Sequence, residues 1–132
     1  MRKLILAAAF AATAALAGCA TVESVITGST VNPNYAYAAV QSFNAAETTA
    51  DSYLKLPACV SGGSTACRNA TAAAAIVPAI RTARTARNAL VAALHASNGG
   101  AVPVASYNTL QSAIDVLNSI YTNYGVAAPA TK

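Results

Sequence analysis

Charge is what this chain has least of. Aspartate and glutamate together number four, lysine and arginine eight and histidine one; tryptophan is absent, and charged residues fill only 9% of the 132 positions. The four acids are Glu23, Glu47, Asp51 and Asp115, and none pairs with another at a spacing used for acid–base catalysis. His95 has no nucleophile or orienting acid beside it in sequence. Glycine-rich phosphate loops, metal-ligand clusters and nucleophile elbows are missing too. These absences argue against an enzyme, a bound metal or a cofactor. Long apolar runs are also missing. The longest near the start, Leu4 to Leu16, falls short of the roughly 20 residues a membrane-spanning helix needs. No stretch shows sustained strand alternation, and no repeat of fixed period is present.

What is present begins at the N-terminus. Arg2 and Lys3 precede the uncharged, Ala-rich segment Leu4 to Leu16, an arrangement of secretory-signal length. The segment ends in Leu16-Ala17-Gly18-Cys19. An aliphatic residue and two small residues before a cysteine resemble the lipobox of bacterial lipoprotein precursors. That resemblance covers Met1 to about Ala20 and implies cleavage between Gly18 and Cys19. It also implies a diacylglyceryl group on the Cys19 sulfur and a further acyl chain on its new amino terminus. Two or more chains anchor a protein stably, whereas a single one binds only marginally. In the sorting pattern of many such lipoproteins an Asp after the lipidated Cys holds the protein at the inner membrane. Ala20 stands there instead, so the resemblance implies the periplasmic face of the outer membrane. Residues 1–18 are thus expected as signal peptide, 19–32 as lipidated N-terminus and tether, 33–125 as the domain and 126–132 as a disordered tail. Removing 18 of 132 residues leaves 114, with six Lys or Arg against four acids. A net charge of +2 is too weak a bias for nucleic acid, which calls for a dense basic stripe.

With Cys19 assigned to lipid, Cys59 and Cys67 remain as a pair in an oxidising compartment. Seven residues separate them, Gly62 and Gly63 among them, which lets the loop turn back for a disulfide. Closing so small a ring contributes roughly 2.5 kcal/mol by chain entropy. Zinc sites use closer spacing and more ligands, and thioredoxin-type chemistry places two residues between its cysteines.

The abundance of alanine favours closely packed helices. Asn32 and Pro33 read as N-cap and first position of a helix running to about Leu56, where Pro57 stops it. Its apolar stripe is Ala36, Val40, Phe43, Ala50 and Leu54, interrupted by Glu47 with Ala46 beside it. A second helix is expected from about Cys67 to Ala96, with Ile76, Ile80, Ala83, Leu90 and Leu94 on one face. Pro78 inside it either kinks or divides the helix, and a kinked continuous helix is the preferred reading. Gly99 and Gly100 end it. The third helix carries Tyr107, Leu110, Ile114, Leu117, Tyr121 and Tyr124, widened by Val116 and Ile120, with Ser106 as N-cap and Gly125 as the stop. The expected fold class is all-α: an up-down-up three-helix bundle with a disulfide-stapled loop between its first two helices.

Few residues remain for function. His95 falls in the last turn of the second helix, where a cation favourably meets exposed carbonyls. Arg81, Arg84 and Arg87 recur every third residue. They read as a solvated basic face with Arg87 at its border, or else as an anion-contacting strip for lipid headgroups, peptidoglycan or an acidic protein. Glu47 and Asp51, one turn apart, could meet those arginines. Tyr35, Tyr37 and Tyr53 are freer than the tyrosines of the third helix and could form a patch. Asn69-Ala70-Thr71 matches a glycosylation sequon, accidental if the host is bacterial. The pattern therefore points to a non-catalytic, membrane-anchored envelope lipoprotein acting as an interaction or structural module. Its partners would be the membrane, through the lipid on Cys19, and an envelope protein or peptidoglycan; self-association is an open alternative. Lys132 at the end is similar to the terminal lysine of murein lipoproteins, which joins peptidoglycan, but the long heptad array of that family is lacking. A phage lysis lipoprotein, similar in size and anchor to outer-membrane spanins, is a further alternative.

Overall fold

The computed structural model describes residues 26–62 and 66–126. The signal segment, Cys19 and most of the tether lie outside the described residues, as does Lys132. Three helices carry the fold: α1 (Pro33–Leu54), α2 (Ala70–Ala96) and α3 (Val104–Tyr124). Together they form the expected three-helix bundle.

A feature absent from the sequence reading joins one end of that bundle. Strands β1 (Ile26–Thr27), β2 (Thr30–Val31) and β3 (Val102–Pro103) form a small antiparallel sheet in that order. Ile26 pairs with Val31, and Val31 in turn with Val102. Gly28, at φ 66°, opens the two-residue turn with Ser29, a Gly-Ser pair of the kind that closes tight hairpins. Val31 and Val102 are fully buried, and the Val104 N–H donates to the Ser29 carbonyl at 2.9 Å. The last residues of the expected tether are therefore tied to the domain. Because β2 leads into α1 and β3 into α3, those two helices start at the same end. α2, which ends just before β3, runs the opposite way.

Helix α1 begins where its cap allows. The Asn32 Oδ1 accepts from the Asn34 N–H at 2.9 Å, with Pro33 at the first position. The face it buries is Ala36, Ala39, Phe43, Ala46, Thr49, Ala50 and Tyr53. Relative to the expected stripe the contact moves toward Ala39, Ala46 and Tyr53, leaving Val40 and Leu54 as partly buried flanks. The reason lies at Glu47, whose carboxylate would be costly to bury; turning the helix slightly places it at the boundary and puts the alanine in the contact. Tyr53 is buried rather than free because its polar end has a partner: the Asn69 N–H donates to its Oη at 2.8 Å.

Helix α2 runs unbroken through Pro78. The proline removes the hydrogen bond that the Ala74 carbonyl would otherwise accept, and both residues are exposed, so water can meet that carbonyl. The helix starts at Ala70 rather than Cys67 because Asn69 caps it, its Oδ1 accepting from the Thr71 and Ala72 N–H groups at 2.8 and 3.2 Å. That gives the sequon asparagine a structural role. The expected face, Ile76, Ile80, Ala83, Leu90 and Leu94, is buried together with Ala72 and Ala86. At its far end Asn98, at φ 50°, takes the left-handed position. Its N–H and that of Gly99 donate back to the His95 and Leu94 carbonyls.

Helix α3 starts at Val104, two residues before the expected cap Ser106, because β3 delivers the chain there. Leu110, Ile114, Leu117 and Tyr121 are buried; Val116 and Tyr124 are exposed. Gly125 at φ 62° ends the helix, and the Val126 N–H reaches the Tyr121 carbonyl at 2.9 Å. Val126 is buried beside it. This residue, expected as the first of the tail, instead closes the helix end through the apolar contact that accompanies such caps.

Candidate interaction surfaces

The lipid-attachment and cleavage positions, Cys19 and Gly18, lie outside the described residues. Cys59 and Cys67 form the expected disulfide, with Cα atoms 4.9 Å apart. The loop is held from both sides: the Arg68 N–H donates to the Pro57 carbonyl at 2.7 Å and the Cys59 N–H to the Arg68 carbonyl at 3.2 Å. The Arg68 side chain continues inward, its Nη1 donating to the Leu54 carbonyl at 2.6 Å. One arginine thus covers the C-terminal end of α1 while its backbone closes the cysteine ring. Nothing in the sequence pattern singles out Arg68 except its position: a cation directly after the second cysteine, within reach of a helix end.

The three arginines of α2 share a helix face but not a role. Arg84 Nε donates to Glu47 Oε1 across α1 and α2, the one salt bridge among the described residues. That hydrogen bond, then the Glu47 charge and more weakly Asp51, raise the Arg84 pKa above its ordinary value. Arg87 turns the other way, its guanidinium carbon lying 5.9 Å from the centre of the Phe43 ring. That is a cation–π distance, and it leaves the buried Arg87 Nε without a hydrogen-bond partner. Arg81 is exposed. The strip is therefore divided between an ion pair, a ring contact and solvent.

The tyrosines separate by environment. Tyr121 is buried and its Oη donates to the Ala46 carbonyl at 2.7 Å, joining α3 to α1. Burial first, then the charges of Asp51 and Glu47, push its pKa up to about 12. Tyr107 accepts from Gln111 Nε2 at 2.8 Å, one turn along the same helix. Tyr35 and Tyr37, in the first two turns of α1, keep 42% and 50% of their surface exposed. His95 is exposed in the last turn of α2, as its position in sequence suggests.

Among the described residues two open depressions flank the C-terminal part of α3, one of about 470 Å³ lined by Asn118, Tyr121, Thr122, Gly125 and Val126. The other, about 430 Å³, has Asp115 as its one charged group. Among the described residues no three His, Cys, Asp or Glu side chains gather as a metal site. No helix among them is long and apolar enough to cross a membrane. Comparison of the chain with family models, curated proteins and solved structures finds no match.

Proposed function

We propose that this protein is a non-catalytic lipoprotein of a bacterial envelope, held at the periplasmic face of the outer membrane by acyl chains on Cys19 and acting through contact with another envelope component. The observation that carries the reading is Leu16-Ala17-Gly18-Cys19 behind a positively charged, apolar start. The described part of the chain is compatible with it. A disulfide-stapled bundle suits an oxidising compartment, and the bundle's sheet begins at Ile26, seven residues beyond the cysteine to be modified.

Intact-mass measurement of protein extracted from membranes tests this directly. The expected species lacks residues 1–18, carries a diacylglyceryl and an acyl group, and is two hydrogens lighter than the reduced chain. An unmodified thiol at Cys19, or a Cys19 bridged to another cysteine, ends the reading. Crosslinking in cells then identifies the partner.

A further inference from the structure

The scarce charges are not spread evenly over the bundle. Topology places β1 to β3, the start of α1, the end of α2 and the start of α3 at one end. From Ile26 to Ala46, and again from Asn88 to Ile114, the chain contains no Asp, Glu, Lys or Arg. Those two stretches are remote in sequence and are brought together by the fold. At 1.5 Å per residue the charge-free part extends about 20 Å along α1, about 12 Å along α2 and about 15 Å along α3. Among the described residues of this end only His95 can carry charge, and Glu23 precedes β1 by three residues in sequence. Of the formal charges of the described residues, Arg87 comes nearest, about 13 Å along α2 from its last residue and beside Phe43 at mid-α1; Glu47, Asp51, Lys55, Arg68, Arg81, Arg84 and Asp115 lie further from this end.

The neutral end is also the one nearest the anchor position. Seven residues from Cys19 to Ile26 span at most about 23 Å, whereas α2, with 27 residues, is about 40 Å long. The exposed aromatic pair Tyr35 and Tyr37 belongs to this end. Tyrosine favours the boundary between water and acyl chains, because its ring is apolar and its hydroxyl stays hydrated. Formal charges carried below the headgroups to that boundary lose hydration at considerable cost; neutral amide, hydroxyl and methyl surfaces lose much less.

We infer that the charge-free end of the bundle, with Tyr35 and Tyr37 at its rim, is a membrane-contact surface that rests on the lipid headgroups and presents the charged, disulfide-bearing end to the periplasm. This inference rests on the lipid-anchor reading and adds an orientation to it. The anchor then does more than limit diffusion, because it fixes which end of the molecule a partner can reach.

The chain contains no tryptophan, so a single introduced indole reports on its own surroundings. Two variants of the full, membrane-extracted protein, Tyr37→Trp and Tyr124→Trp, replace exposed residues at opposite ends. Each is reconstituted into vesicles of phosphatidylethanolamine with a minor fraction of phosphatidylglycerol, and circular dichroism checks the fold. Lipids brominated near the headgroup should quench Tyr37→Trp several-fold more strongly than Tyr124→Trp, and acrylamide should show the reverse order. Equal response of both positions overturns the orientation, whether the bundle stands clear of the bilayer or lies flat on it. Shielding of Tyr37→Trp from both quenchers, with crosslinks between copies, overturns it in favour of self-association. If the protein does not float with the vesicles at all, the anchor reading fails and the orientation falls with it; flotation with an unquenched Tyr37→Trp sinks the orientation alone.

Discussion

Tyr121→Phe probes the bond that joins α3 to α1. The hydroxyl donates to the Ala46 carbonyl at 2.7 Å from a position 8% exposed. That carbonyl also accepts a bond within its own helix, so phenylalanine leaves it half-satisfied rather than orphaned. The ring keeps its packing, and the loss should be close to that of one net buried hydrogen bond, about 1 kcal/mol. For a domain of this size that is roughly 4–8 °C in Tm. A second signature distinguishes this from a small packing defect. An unfolded tyrosine titrates near 10, while burial raises Tyr121 to about 12. Between those values the unfolded chain has released a proton that the folded one still holds, so raising the pH favours unfolding. The contribution is fully present below pH 10 and is lost as pH approaches 12, at most on the order of 2 kcal/mol. Urea unfolding followed by circular dichroism at neutral pH and again between pH 10 and 12 measures both. The variant should be less stable at pH 7 and decline less steeply in the alkaline range. A variant whose midpoint and alkaline slope both match the parent would show that the Tyr121 bond carries none of this, and the argument would fail.

Three further outcomes follow from other parts of the fold. Reducing the Cys59–Cys67 bond should lower stability by roughly 2.5 kcal/mol from ring entropy while leaving the helical signal intact at 25 °C. Loss of most helix on reduction would show that the loop organises the bundle rather than stapling it. Gly125→Ala forces a side chain into a backbone with φ 62°, at about 1–2 kcal/mol; no shift in thermal midpoint would contradict the cap described at the end of α3. Arg87→Met removes the unpartnered buried Nε together with the cation over Phe43. The two effects oppose each other at about 1 kcal/mol each, so little net change is expected. A loss well above that in chemical denaturation would mean that the guanidinium is held by more than the ring.

How much of this was legible beforehand differs between element types. The buried face of helix α2 could be read almost residue for residue, since its branched side chains recur at helical spacing, whereas Pro78 left its continuity open and the Asn69 cap moves its start to Ala70. Helix α1 was legible in extent but not in rotation. Alanines at Ala36, Ala39, Ala46 and Ala50 are compatible with several faces, and only the position of Glu47 relative to Arg84 selects among them. The small sheet was not read because two-residue strands carry no periodicity. Its one local signal, Gly28-Ser29 between β-branched pairs, points to a turn without naming what it pairs with. Val102, the partner of Val31, lies 71 residues further on. Short-range patterns set the helices, and long-range burial of two valines sets how the chain enters them.

The same distinction applies to the surfaces. Regular spacing made Arg81, Arg84 and Arg87 look like one strip, yet three neighbours on a helix meet three different environments: a carboxylate, an aromatic ring and water. Spacing reports that side chains share a face; it does not report what stands opposite. Conversely, the absence of charge in two separated stretches has no meaning in one dimension. It becomes a surface property only when β2 and β3 bring the starts of α1 and α3 to the same end. A motif search seeks residues that are present. In a chain so poor in charge, the informative pattern is where charges are missing, and only the topology assembles it.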